Sequence, residues 1–143
     1  MQVTNDDRAE AVKLQKRALH SVGLAFGRDS AVAADAAELL VKLLIACRRW
    51  REAEITAREV FEARRRLFGQ VSPATWSVLL LLGQIHRGQG RLDDARQDLD
   101  RAGALCRALE VEDPRFSDDL RLMFRGYGVE GGESFGDSAG ERR

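Results

Sequence analysis

Apolar residues recur at helical spacing as far as residue 124, and the pattern is lost after that. Over residues 6–26, Ala9, Val12, Leu14, Ala18, Leu19, Val22 and Phe26 fall near one stripe of a helix, and Gly27 follows as a stop. A second helix is predicted after Asp29-Ser30, where either side chain can cap the free amides; it runs through Leu39, Leu40, Leu43 and Leu44 to about Arg49. A third covers residues 51–68 and ends at Gly69. Ser72-Pro73 gives a cap residue and then proline at the first helical position, where its missing N–H is no loss, so a fourth helix opens there and runs to Arg87. The fifth occupies residues 92–109 after the break at Gly88 and Gly90, and Asp113-Pro114 repeats the cap-and-proline opening for a sixth that ends near Phe124.

These helices repeat. Ala11, Ala53 and Ala95 stand 42 residues apart, as do Phe26-Gly27 and Phe68-Gly69, and Leu40 and Leu82. A fixed period of this size marks a stacked array of helix pairs, in which each unit buries its apolar face against its neighbours. The expected fold is all-α with about six helices. Residues 1–125 form the repeat domain, with units at about 31–72 and 73–113, and half repeats flank them. The array thus starts on the second helix of a pair and ends on the first helix of another; such half repeats either cap an array or belong to a longer one. The third unit is one residue short, since Pro114 follows Pro73 by 41. Residues 126–143 are glycine-rich without apolar periodicity and read as a flexible tail.

Composition narrows the function classes. The 23 Lys and Arg balance the 23 Asp and Glu, so no overall field attracts nucleic acid or an anionic membrane. No apolar run is longer than Val78 to Leu82, which is far too short to span a bilayer. Two cysteines offer no disulfide framework, and residues 1–7 lack a secretion signal, so a cytoplasmic protein is expected. Arg48, Arg49 and Arg51 flank Trp50, and Arg64, Arg65 and Arg66 end the third helix; with acids nearby, both clusters read as solvated faces. Glu62 with Arg66 and Arg48 with Glu52 stand at pairing distance along a helix. His20 and His86 lie in different units without Cys or acid neighbours at metal-ligand spacing, and Gly88-Gln89-Gly90 follows no strand as a phosphate loop would. No enzyme, metal site or cofactor is implied.

Leu79, Leu82, Gly83, His86, Gly90, Leu92, Ala95, Leu99 and Ala102 follow the tetratricopeptide pattern of large and small positions, in which Gly83 and Ala95 let the paired helices approach closely. The preceding unit carries Ala37, Leu40, Val41, Leu44, Arg48, Trp50, Ala53, Ala57 and Val60 at those positions. The 42-residue period, Phe68-Gly69 closing a second helix and Pro73 shortly after resemble the kinesin-light-chain type of this family. The resemblance implies a right-handed superhelical stack that binds a protein or peptide on the concave face lined by the first helix of each pair. Projected onto this chain, the groove positions are Asp35, Glu38, Lys42, Ser77, Leu80, Gln84, Arg87, Asp118 and Arg121. The chaperone-tail clamp of other members needs Lys and Asn where this chain has Glu38, Leu80 and Leu81, and is not carried over.

Four consecutive leucines, Leu79 to Leu82, cannot share one helical face. Either all four are buried between repeats, or Leu80 offers an apolar anchor to a partner. Two functions of different class follow: an adaptor that holds a protein segment in its groove, or a structural module that associates with itself through its end helices.

Overall fold

A computed structural model describes residues 4–112. Among these residues the fold consists of α1 (Asn5–Phe26), α2 (Ala31–Ala46), α3 (Trp50–Phe68), α4 (Pro73–Gly88) and α5 (Leu92–Glu112). Each helix packs mainly on its neighbours in sequence, and α2 also touches α4. That is the arrangement expected of stacked helix pairs, with α2/α3 and α4/α5 as the complete units. The predicted sixth helix and the tail lie outside the described residues.

The same local devices recur one period apart. Ser30 accepts a hydrogen bond from the Ala33 amide, and Ser72 accepts one from the Thr75 amide, so serine starts both first helices. Both first helices also end alike. The Arg49 amide donates to the Leu44 carbonyl at 2.9 Å, and the Arg91 amide donates to the His86 carbonyl at 2.8 Å, each closing a six-residue loop around a left-handed residue. In the second unit that residue is Gly90, with φ 77°. In the first it is Arg48, with φ 58°, the one non-glycine residue in that region among those described. This turn ends α2 at Ala46, three residues short of the sequence expectation. The second helices of the two complete pairs begin with an ion pair, Arg49 with Glu52 in α3, which has no side-chain cap, and Arg91 with Asp94 in α5. Arg49 therefore takes the carboxylate that the sequence reading gave to Arg48, and Glu62 is taken by Arg65 where Arg66 was expected.

Packing follows the small residues. Ala53, Ala57, Ala95 and Ala102 are buried, so the second helices lie close against the first. A Cβ placed on Gly83 would meet the Leu99 side chain at 3.3 Å, and one on Gly88 would overlap the Trp50 indole at 2.5 Å. Gly88 is therefore a contact position where α3 crosses the end of α4. Trp76, Val78, Leu79, Leu80, Leu81, Leu82 and Ile85 make α4 the most deeply buried helix, as its place between α3 and α5 requires.

Candidate functional site

The first helices α2 and α4 border a cleft of about 700 Å³. Its walls take Asp35, Glu38 and Lys42 from α2, at steps of three and four residues that align them on one helical face. Ser77, Leu81 and Gln84 do the same on α4, and Pro73 and Ala74 close one end.

Arg64 of α3 comes up between the two walls and forms the floor. Its side chain is only 4% exposed. The guanidinium donates to Glu38 Oε1 at 2.8 Å, Asp35 Oδ1 at 2.9 Å, Ser77 Oγ at 3.1 Å and the Ala74 carbonyl at 3.1 Å. The Ser77 hydroxyl in turn donates to Glu38 Oε1 at 2.9 Å. One buried cation thus joins three helices: Nη2 reaches Asp35, and the two N–H groups of Nη1 are shared among Glu38, Ser77 and the Ala74 carbonyl. Burial alone would raise the Glu38 carboxyl, but Arg64, Ser77 and the Lys42 ammonium, 3.8 Å away, together hold it below the usual carboxylate range. Asp35 keeps one oxygen on Arg64 while its side chain stays 76% exposed, so it is the acid the cleft presents to solvent.

A second polar cluster sits between α4 and α5. His86 Nδ1 is hydrogen-bonded to Asp98, and its Nε2, without a hydrogen-bond partner, faces Glu54 of α3 at 3.7 Å. Burial pushes the Asp98 carboxyl up despite the imidazole beside it. At Glu54 burial also raises the carboxyl, but Arg58, Gln89 and Arg91 outweigh it and hold the group below its ordinary value. One period earlier the His86 and Asp98 positions are Leu44 and Thr56, so this pair of ionisable side chains is particular to the second unit. Cys106, half-buried on α5 next to Glu110, has its thiol pushed up to about 11 by burial and by that acid, the opposite of what a nucleophile needs.

Five of the projected groove residues, Asp35, Glu38, Lys42, Ser77 and Gln84, meet in the cleft. Leu80 does not: it is 0% exposed, as are or nearly are its three leucine neighbours, so the alternative of an apolar anchor is corrected to a core residue. Three residues after Ser77, it stands about 60° around the helix from it, off the face that lines the cleft. Arg87 is exposed near the end of α4 but is not part of the cleft wall. Asp118 and Arg121 lie outside the described residues. Arg64 is the residue the sequence reading missed. It was assigned to a solvated arginine cluster, and only Arg65 and Arg66 of that cluster are exposed. The available signal was register, because Arg64 stands seven residues after Ala57 and four after Val60, on the buried stripe of α3. Among the described residues no group of three or more His, Cys, Asp or Glu side chains is placed to hold a metal, and no helix is long and apolar enough to cross a membrane.

A search of curated proteins found no significant match. The sequence model of the tetratricopeptide repeat matches residues 33–74 and 77–114, more than half of the chain. These two segments coincide with the α2/α3 and α4/α5 pairs, so the match, the period and the packing agree: the chain belongs to the tetratricopeptide repeat family, in its 42-residue kinesin-light-chain form.

Proposed function

We propose that the protein is an adaptor that holds a peptide or protein segment in the cleft between α2 and α4. Tetratricopeptide repeats generally mediate protein–protein interaction and scaffolding, and the family is typically a non-catalytic module. The observation that carries the reading is the convergence of Asp35, Glu38, Lys42, Ser77 and Gln84 on one cleft over a floor whose buried charges are already paired. A floor satisfied internally needs no ligand to stabilise it and is rigid before binding, which lowers the ordering cost of association. The walls then supply recognition: the exposed Asp35 carboxylate for a cationic or N–H group, Lys42 for a carboxylate, and the Gln84 amide for backbone of an extended segment. Ile45 adds apolar surface among them.

The test is a pull-down with wild type and with the double truncation Lys42→Ala/Gln84→Ala, which leaves the Arg64 partners Asp35, Glu38 and Ser77 in place. The cleft reading expects specific partners to be lost while helix content and melting temperature stay close to wild type. A partner set unchanged by the double variant contradicts it.

A further inference from the structure

The start of α1 and the turn between α2 and α3 enclose a second pocket, of about 420 Å³, that shares no lining residue with the cleft. Arg8 of α1 and Arg48 and Arg49 of the turn line it together with Asn5, and no carboxylate is among its walls. Two of the guanidiniums are tethered but not saturated. Arg8 donates from Nη1 to the Ala46 carbonyl at 3.3 Å, and Arg49 donates from Nε and Nη2 to Glu52 at 2.9 and 2.8 Å, so each keeps further N–H groups for a ligand. Arg48, exposed in its left-handed turn, forms no hydrogen bond or ion pair among the described residues.

The second unit fills the corresponding place differently. One period on, Arg8 becomes Trp50 and Ala46 becomes Gly88, and the indole packs so closely on that glycine that a Cβ there would lie 2.5 Å from the ring. An arginine therefore stands in the first unit where an apolar plug stands in the second, and an open, positively lined pocket remains. Asp6 and Asp7 belong to the first turn of α1 but are not among the walls, and the Asp7 carboxylate accepts a hydrogen bond from the Thr4 amide. Glu52 offsets one of the three arginines, which leaves two positive charges for a ligand. A dianion matches that better than a carboxylate does, and arginine forks suit the oxygens of a phosphate. We infer that the pocket binds a phosphate dianion, free or as a monoester, held chiefly by Arg8 and Arg48, with the remaining Nη1 donors of Arg49 beside them. The site is separate from the cleft and does not depend on the adaptor reading.

Isothermal titration calorimetry on the full chain tests this with inorganic phosphate and with a phosphoserine blocked at both ends, the blocked serine and acetate serving as controls. One phosphate or phosphoserine per chain is expected to bind, and serine and acetate are not. Tighter binding of phosphoserine than of phosphate makes a modified side chain the source of the group; equal binding makes free phosphate sufficient. Arg48→Gly takes a side chain out of a turn that suits glycine, so the fold is kept, and it is expected to weaken binding about tenfold or more, the loss of one charge-assisted contact. Arg96→Ala, which removes an exposed arginine of α5, is expected to change nothing. Arg8→Trp/Ala46→Gly rebuilds the plug of the second unit and is expected to abolish binding while helix content stays that of wild type. Absence of saturable binding by both phosphate and phosphoserine overturns the proposal. So does an affinity that Arg48→Gly leaves intact, or one that acetate matches.

Discussion

Arg64 and Glu38, 26 residues apart in sequence, meet at 2.8 Å beneath the cleft and fix the spacing of the two first helices. Because Arg64 also holds Asp35, Ser77 and the Ala74 carbonyl, its removal leaves a largely buried carboxylate without its main partner. Arg64→Ala is expected to lower unfolding stability by about 3 kcal/mol, the lower end for breaking a buried pair, since Lys42 and Ser77 remain near Glu38. Urea unfolding checks this; a loss below roughly 1 kcal/mol would mean that the network behaves as a surface salt bridge.

The same carboxylate predicts a pH dependence. The Glu38 carboxyl is held below its ordinary value of 4.5 in the folded protein, so between its folded and unfolded pKa the unfolded chain binds more protons. Its contribution is therefore fully present above the ordinary value and is lost as pH falls through the folded one. The stability difference between wild type and Glu38→Gln should be constant near neutrality and shrink in acid. A difference that holds its neutral value at the lowest pH where the protein still folds would show that Glu38 is not ionised in this network.

Arg48 and Gly90 occupy the same left-handed turn position one period apart, and a side chain is strained there. Arg48→Gly is expected to stabilise the protein by up to about 1 kcal/mol, and Gly90→Ala to destabilise it by about 1 kcal/mol. Opposite signs in the two units are the expected outcome of chemical denaturation. The same sign in both would mean that the Arg48 side chain contributes more than its backbone costs.

Gly88 and Trp50 define a third contact, where any Cβ on the glycine strikes the indole. Gly88→Ala should cost roughly 1–3 kcal/mol by overpacking. In the Trp50→Ala background the clash is absent and the same substitution should cost little or nothing. A cost equal in both backgrounds would place the effect in the backbone of α4.

The sequence carried the helix order and the pairing for one reason: a periodic array places equivalent residues at a fixed offset, so a match in one unit locates its counterpart in the next. Asp35, Glu38, Lys42, Ser77 and Gln84 came instead from the resemblance to the family, whose groove positions project onto both units. What it did not carry depends on a third helix. Arg64 looks like its neighbours Arg65 and Arg66 until α2 and α4 bring Glu38, Asp35 and Ser77 to it across 13 to 29 residues. Leu80 reads as a groove position by offset and is buried because α4 is covered by helices on both sides. His86 reads as one of the large positions of the repeat pattern and does sit in the core, but its bond to Asp98 could not be seen without the approach of α5.

A segment held in the cleft touches α2 and α4 but not the exposed side of α3. A photo-activatable residue placed at position 42 or 84, on the cleft walls, and at position 59, exposed on α3, can be cross-linked in cell extract and the attached segments identified by mass spectrometry. Positions 42 and 84 are expected to capture the same protein, through neighbouring residues of one segment, and position 59 to capture none of it. Capture of that protein at position 59 with none at 42 and 84 would put the binding surface on the second helices and contradict the cleft.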